Sequence, residues 1–310
     1  MKRRRIPVVV LLGPTGVGKT DLLSTLLPGC IEVVSADAFQ VYRGMDIGTA
    51  KPSPELRARV PHHLIDIREP HEQYTVGDFV QEADAVIPRI VERGRLPLVS
   101  GGTAYYLRHF LFGLPATPPV DDDVRAKVSR FMESSGLEQA YARLKEVDPV
   151  SASRISPRDA YRISRALEVW EQTGRPLSSF PMMQGPREEY DVLLVGLSRG
   201  REELRERIER RVWRMCEEGL AEEVARLRAR GCTARTPGMR AIGYREFFEH
   251  EGAPLEEIAR AIVRHTRQFA KRQLTFFRSF PGVHWFSADK PEEISRLVHL
   301  VEEFFSTRMG

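Results

Sequence analysis

The stretch Gly13-Pro-Thr-Gly-Val-Gly-Lys-Thr20 fits the pattern G-x-x-x-x-G-K-S/T and stands between an apolar run, Ile6 to Leu12, and a helix-like pattern. Glycines let such a loop wrap until successive N–H groups face phosphate oxygens, and the helix start that follows adds partial positive charge. Gly13, Pro14, Thr15, Gly16, Val17, Gly18, Lys19 and Thr20 are therefore the candidate diphosphate- or nucleotide-binding residues. Lys19 is expected to reach the bridging and terminal phosphate oxygens, and the Thr20 hydroxyl to sit on Mg²⁺. The pattern specifies a diphosphate or triphosphate and leaves the reaction open.

Two acidic residues follow apolar runs, as the metal-holding carboxylate of an ordinary nucleoside triphosphatase does: Asp37 after Ile31 to Ser35, and Asp66 in His63-Leu-Ile-Asp66. The run Leu96 to Ser100 leads instead into Gly101-Gly-Thr103, read as either a second anion site or a plain helix cap. Ligands of parallel sheets bind beyond the carboxyl ends of strands, so Asp37, Thr103 and the loop before Lys19 can converge on one cleft. In that cleft Asp37 reads as a metal ligand, a general base or, taken alone, a solvated loop carboxylate.

The elements that must position these residues are short apolar runs at Ile6 to Leu12, Ile31 to Ser35, His63 to Ile67, Leu96 to Ser100, Val192 to Leu197 and Val283 to Phe286. Continuous hydrophobicity suits strands covered on both faces, so the expected class is α/β: a P-loop NTPase-like parallel sheet flanked by helices. The strand rhythm stops after Leu114 and resumes near Tyr190. Helical patterns at Asp123 to Ser134, Leu137 to Val147 and Pro157 to Thr173 fill the gap, broken at Gly136 and at Asp148-Pro149 and closed by Gly174. Prolines at Pro115, Pro118, Pro119, Pro181 and Pro186 mark the edges of this insertion. The expected organisation is a first core part over 1–118, a helical insertion domain over 119–186, and a second core part over 187–310 with basic helices at Glu202 to Arg230 and Leu255 to Ser279.

Composition excludes other classes. The 310 residues are 42% hydrophobic and 29% charged, which rules out a disordered or fibrous chain and a disulfide-built mini-protein. Of 47 Lys+Arg, 40 are arginine, a balance that admits a nucleic-acid partner. Cys30, Cys216 and Cys232 are odd in number and unpaired in spacing, as in a reduced, cytoplasmic protein, and no zinc site is expected. The basic start Met1-Lys-Arg-Arg-Arg5 before an apolar run imitates a secretory signal, but no small-residue cleavage site follows. No stretch is long and apolar enough for a bilayer, so no membrane partner is expected.

These pieces together resemble the tRNA dimethylallyltransferase family, the isopentenyl (IPP) transferases. The residues that carry the resemblance are the loop at 13–20, Ser35-Ala-Asp37, Gln40-Val-Tyr42, Gly44-Met-Asp-Ile-Gly-Thr-Ala-Lys-Pro52, Pro61-His-His-Leu-Ile-Asp66, Tyr74 and Asp78-Phe79. Gly101-Gly-Thr-Ala-Tyr105, Val147-Asp-Pro149, Arg165-Ala-Leu-Glu168, Gly243-Tyr-Arg245 and Thr266-Arg-Gln-Phe-Ala-Lys-Arg-Gln273 continue it nearly end to end. Ala36-Asp37-Ala38 departs from the Asp-Ser common in bacterial members while keeping the acid.

The resemblance implies transfer of a dimethylallyl group from dimethylallyl diphosphate to N6 of the adenine 3′ of the anticodon, tRNA position 37, with diphosphate leaving. It implies Asp37 as the base, Thr103 hydrogen-bonding at the same centre, Arg211 as the diphosphate arginine, Mg²⁺ as cofactor, and the tRNA anticodon stem-loop as partner. RNA-contacting segments fall by resemblance on Asp37, Ala38, Phe39 and Gln40; Thr103; Arg125; Tyr161, Arg162, Ile163, Ser164 and Arg165; Arg240, Ala241, Ile242, Gly243, Tyr244 and Arg245; and Lys271, Arg272 and Arg278. Phe276 and Phe277 read either as base-stacking surfaces or as helix core. The other arginines around Arg211 interleave with Glu202, Glu203, Glu206 and Glu209 as in a solvated, ion-paired helix. A monomer is the default expectation, and a small-molecule kinase of the nucleoside or shikimate type is the competing reading.

Overall fold

A computed structural model describes residues 5–23, 25–115, 117–180 and 185–309. The basic start at 1–4 and the Pro181 edge of the insertion lie outside the described residues. Six strands, β1 (Ile6–Leu12), β2 (Ile31–Ser35), β3 (His62–His63), β4 (Leu96–Ser100), β5 (Tyr190–Ser198) and β6 (His284–Ser287), pair in parallel in the order β3-β2-β4-β1-β5-β6. The register sets Val9 opposite Leu98 and Leu193, and Val33 opposite Leu98. Every residue of β2 and β4 is buried, as the unbroken hydrophobic runs require of strands covered on both sides.

Helices α1 (Lys19–Leu23), α2 (Pro54–Arg59), α3 (Val76–Glu92) and α4 (Ala104–Phe112) follow the first four strands. The chain continues through α5 (Asp122–Val147), α6 (Pro149–Ala152) and α7 (Ala160–Thr173), and after β5 through α8 (Arg201–Glu217), α9 (Leu220–Ala229), α10 (Glu246–Glu249), α11 (Leu255–Phe277) and α12 (Pro291–Met309). Leu22, Leu23 and Leu26 pack with strand residues Val9, Val33 and Val195 and with Leu297 and Val301 of α12. α3 starts at a reciprocal cap between Thr75 and Asp78 and buries Phe79, Ala83, Ile87 and Ile90 completely.

The chain divides into two compact units, one of Leu111–Arg187 and one of everything before and after it. In the smaller unit Gly136, at φ 80° and ψ 165°, breaks α5 where the sequence places a boundary. Its core is Val128, Ala140, Leu144, Ile163, Ala166 and Leu167. Asp148 is buried there: its carboxylate accepts from Ser151 N at 2.9 Å, from Ser178 N at 2.9 Å and from Ser178 Oγ at 2.6 Å. Gly174 closes α7 in the left-handed conformation, φ 66°.

The third strand corrects the sequence reading. Expected over His63 to Ile67, it ends at His63, because Leu64 and Asp66 adopt left-handed φ of 61° and 57° and cannot continue a ladder. Backbone bonds from Asp66, Ile67 and Arg68 to the Gln40 and Val41 carbonyls, at 2.8–3.2 Å, hold that turn.

Parallel order brings the carboxyl ends of β2, β4 and β1 side by side, so Asp37, Gly101 and Gly13 leave the sheet at one edge. A Cβ on Gly101 would overlap the Ala36 backbone, so this closeness depends on glycine.

Glu32 anchors the same strand from its other end. Only 2% exposed, it receives His63 Nε2 at 2.6 Å, Arg93 Nη2 at 2.6 Å and Arg95 Nη1 at 3.2 Å. Hydrogen bonds and charge from Arg93, then His63, outweigh the opposing effect of burial and hold its carboxyl down at about 2. A depressed carboxyl pKa stabilises the fold above its unfolded value near 4.5, and that contribution is lost as pH falls from there through about 2. Glu32→Gln should therefore lower stability at neutral pH, by on the order of 2 kcal/mol, and flatten the loss of Tm between pH 4.5 and 2. Thermal unfolding across that range checks it, and parallel pH profiles for variant and wild type would contradict it.

Candidate functional site

At the sheet edge lies a cleft of about 310 Å³ lined by Thr15 to Asp21, by Ser35, Asp37 and Gln40, by Gly101 and Gly102, and by four arginines of α8. Gly13, Gly16 and Gly18 all take positive φ, which gives the loop its wrap. The N–H groups of Gly16, Gly18, Lys19 and Thr20 take no backbone acceptor among the described residues, so this nest at the start of α1 has donors to offer an anion.

Lys19 folds over this nest, donating to the Gly13 carbonyl at 2.6 Å and the Pro14 carbonyl at 3.1 Å. Burial, then the nearby Arg211 charge, push its ammonium down to about 7 against the opposing pull of Asp37. Arg211 is likewise pushed below its ordinary value by burial, with Asp37 and Asp21 opposing. Lys19 and Arg211 thus share the cleft with two carboxylates, Asp37 and Asp21.

Asp37 sits on a turn that its own carboxylate stabilises. Oδ1 accepts from Phe39 N at 2.9 Å and Gln40 N at 3.3 Å, while Oδ2 takes no hydrogen bond among the described residues. Oδ2 faces Gly102, where a Cβ would stand 3.0 Å from it. Thr103 does not line the cleft. Its Oγ1 accepts from Ala38 N at 2.9 Å and its N–H is taken by the Ala36 carbonyl at 3.1 Å, so it braces the turn beside Asp37. Of the two readings of Gly101-Gly-Thr103, a second anion site loses this N–H donor.

Asp66 is corrected as a metal-holding candidate. It pairs with Lys51 at 2.5 Å and Arg57 at 2.8 Å and is absent from the cleft wall. Lys51 has a side chain only 2% exposed and also donates to the Tyr42 carbonyl at 2.5 Å and Asp46 at 2.7 Å, locking the loop whose Thr49, Ala50 and Pro52 line the cleft. Gln40 holds that loop too, through the Thr49 and Ala50 carbonyls at 3.2 and 3.3 Å.

The arginine helix keeps part of its expected solvated character: Arg205 pairs with Glu202, and Arg210 and Arg214 are exposed. Beyond that expectation, Arg207, Arg210 and Arg214 join Arg211 in lining the cleft. Arg207 donates to the Gly16 carbonyl at 3.0 Å and pairs with Asp21 at 2.8 Å, and Arg199 Nε donates to the Val17 carbonyl at 3.1 Å. The signal was present: 207, 210, 211 and 214 follow the i, i+3, i+4, i+7 spacing of one helix face.

Among the segments assigned to RNA, Ile163, Ala241, Gly243 and Tyr244 are buried and offer no accessible side-chain surface, a correction to their inclusion. Ile163 belongs to the core of the smaller unit, and the Tyr244 hydroxyl donates to Glu223 at 2.6 Å. Phe277 is helix core, whereas Phe276 is half-buried beneath Arg108, 5.8 Å from guanidinium to ring centre. Arg125, Arg162, Arg165 and Arg245 carry carboxylate partners. Tyr161 is 75% exposed, and Arg240, Lys271, Arg272 and Arg278 are exposed without an ion pair among the described residues. No helix among the described residues is long and apolar enough to cross a membrane.

Comparison with known proteins follows from this geometry. A family model described as IPP transferase matches residues 40–280. The chain is 45% identical to the tRNA dimethylallyltransferase 1 of Syntrophotalea carbinolica, over 97% of this chain and 96% of that one. It is 43% identical to the tRNA dimethylallyltransferase of Geobacter sulfurreducens, over 96% of each. The crystal structure of the full-length tRNA isopentenylpyrophosphate transferase of Bacillus halodurans is similar at a TM-score of 0.70 and 37% identity, with 98% of both chains covered. A eukaryotic dimethylallyltransferase acting on tRNA is similar at a TM-score of 0.82 and 27% identity, with 97% of this chain and 80% of that one covered.

A Lys19 held at about 7 is mostly neutral above that pH, and a bound diphosphate must draw its proton back. Binding of inorganic diphosphate at pH 8 should therefore take up more protons in wild type than in Lys19→Met, the difference removing the proton that hydrogen diphosphate itself releases. Calorimetry in buffers of different ionisation enthalpy measures this, and equal proton uptake in the two proteins would contradict it.

Proposed function

The chain belongs to the IPP transferase family, and on that premise we propose that it transfers the dimethylallyl group of dimethylallyl diphosphate to N6 of the adenine 3′ of the anticodon in tRNA, releasing diphosphate. One observation carries the reading: the nest, the two cations Lys19 and Arg211, and the free Oδ2 of Asp37 meet in one cleft.

The chemistry needs these groups for different reasons. As the allylic C–O bond breaks, negative charge collects on the departing diphosphate, and the nest N–H groups with Lys19 and Arg211 stabilise it. The positive face of α8 supports that reading, since Arg210 and Arg214 line the cleft without carboxylate partners among the described residues. The N6 lone pair is delocalised into the purine ring, so attack on the cation-like carbon is helped by a base that removes the N6 proton. Asp37 fits: Oδ1 is fixed by two backbone donors and Oδ2 is left to accept. Thr103 acts by holding Ala38, and through it the turn that carries Asp37.

The family's metal fits the residues present. The Thr20 hydroxyl is exposed on the cleft wall and takes no hydrogen bond among the described residues, a hard oxygen ligand of the kind Mg²⁺ prefers. Bound there with the diphosphate oxygens, Mg²⁺ would supply further neutralisation of the leaving group.

The target adenine must leave the anticodon-loop stack, at a cost of a few kcal/mol that backbone contacts offset. Lys271, Arg272, Arg278 and Arg240, exposed and without an ion pair among the described residues, suit phosphate contact. Tyr161, on the smaller unit, offers an exposed ring for stacking. Cytoplasmic location and a monomeric state complete the proposal.

Incubation with unmodified tRNA and labelled dimethylallyl diphosphate tests the reading. Label should enter the tRNA in a metal-dependent way, and ATP-dependent phosphorylation of a metabolite without it would favour a kinase. Asp37→Ala should lower the transfer rate by about 10²- to 10⁴-fold while leaving tRNA affinity within a few-fold; the opposite ranking would remove Asp37 as base. Lys271→Ala should weaken tRNA binding and reduce the slope of log affinity against log salt by about one, and an unchanged slope would put Lys271 outside the interface.

A further inference from the structure

We infer that Gln273 is a positioning residue of the transfer site, one amide that fixes the separation of the diphosphate nest from the general base. Its side chain is nearly inaccessible although its neighbours Lys271, Arg272 and Thr275 on α11 are exposed. Gln273 Oε1 accepts from the Thr15 N–H at 2.9 Å, inside the phosphate loop. Its Nε2 donates to the Gly102 carbonyl at 2.5 Å, on the turn after β4. A Cβ on Gly102 would lie 3.0 Å from Asp37 Oδ2 and 3.3 Å from Gln273 Nε2, so the amide reaches the immediate surroundings of the base.

Only an amide among side chains of this length is both donor and acceptor without charge, which both bonds require. One bond ends in the loop that grips the leaving group and the other beside the group that activates the nucleophile. The Thr15 N–H is also spent on Gln273, so the diphosphate is left the N–H groups from Gly16 onward. Because Gln273 projects inward from the helix whose outer face carries Lys271 and Arg272, RNA held on that face bears on the nest and the base through one rigid element. A small displacement between reacting groups costs a large factor in rate, which is why such a tie matters.

The inference rests on the proposed transferase reading, and two variants with two readouts separate them. Gln273→Met keeps the volume and removes both bonds; it should lower kcat by about 10²-fold with KM for tRNA within a few-fold and a cooperative unfolding transition retained. Gln273→Glu keeps the acceptor for Thr15, but the introduced carboxyl can donate to Gly102 only while protonated. Its kcat should therefore fall as pH rises, relative to wild type, adding a limb to the pH profile that a purely structural role would not create. Amide hydrogen exchange gives a readout that needs no activity: Thr15 N–H should be protected in wild type and lose protection in Gln273→Met. Wild-type kcat in Gln273→Met, a pH profile of Gln273→Glu parallel to wild type, or an unprotected Thr15 in wild type would each overturn the inference. A wild-type protein with protected Thr15 that transfers no prenyl group would overturn the function and leave the tie between loop and turn standing.

Discussion

Lysine and arginine side chains gathered on one cleft against two carboxylates, Asp37 and Asp21, set the character of this protein. Burial lowers the readiness of both Lys19 and Arg211 to carry charge, the Arg211 charge adds to that at Lys19, and Asp37 opposes the shift at both, joined by Asp21 at Arg211. A site so arranged is incomplete until an anion enters. Everything around it resists collapse: Arg207 and Arg199 hold loop carbonyls from the β5 side, and Gly101 allows β2 and β4 to end in contact. The fold holds the arginines of α8 in place before the leaving group develops its charge, and Lys19 completes the positive potential once the bound anion restores its proton.

The same loop sequence elsewhere grips a phosphoryl donor, and what distinguishes the present cleft is what stands opposite the nest. A phosphoryl-transfer site needs an acceptor and a metal-holding carboxylate near the terminal phosphate. Here the carboxylate that follows β3, Asp66, is committed to Lys51 and Arg57. The remaining acid, Asp37, is oriented by its own turn with one oxygen free, an arrangement suited to accepting a proton from a nucleophile.

Much of this was legible in the residues because local rules agreed with the tertiary outcome. The phosphate loop, the buried runs and the break at Gly136 each carry their instruction within a few positions. Failures occurred where the deciding partner was distant. β3 stops early because left-handed residues at Leu64 and Asp66 are held by the Gln40–Val41 carbonyls, and apolar character over 63–67 contains no hint of that. The arginines of α8 interleave with glutamates as on a solvated face, yet four of them share a stripe that the sheet edge recruits. Gln273 lies 258 residues from Thr15, and no spacing rule reaches that far. Resemblance named RNA-contacting segments without their faces, so Ile163 and Tyr244 were carried along with exposed neighbours although one fills a core and the other serves Glu223.

The central claim is that the nest holds a departing diphosphate, with the bond breaking between carbon and oxygen. Placing a heavy oxygen isotope in the bridge between the allylic carbon and the first phosphorus of the donor tests this directly. After turnover with tRNA, mass spectrometry should find the label entirely in the released diphosphate and none on a prenyl alcohol. Label retained on the prenyl carbon, with phosphate passed to another acceptor, would mean phosphorus–oxygen cleavage and would contradict the account.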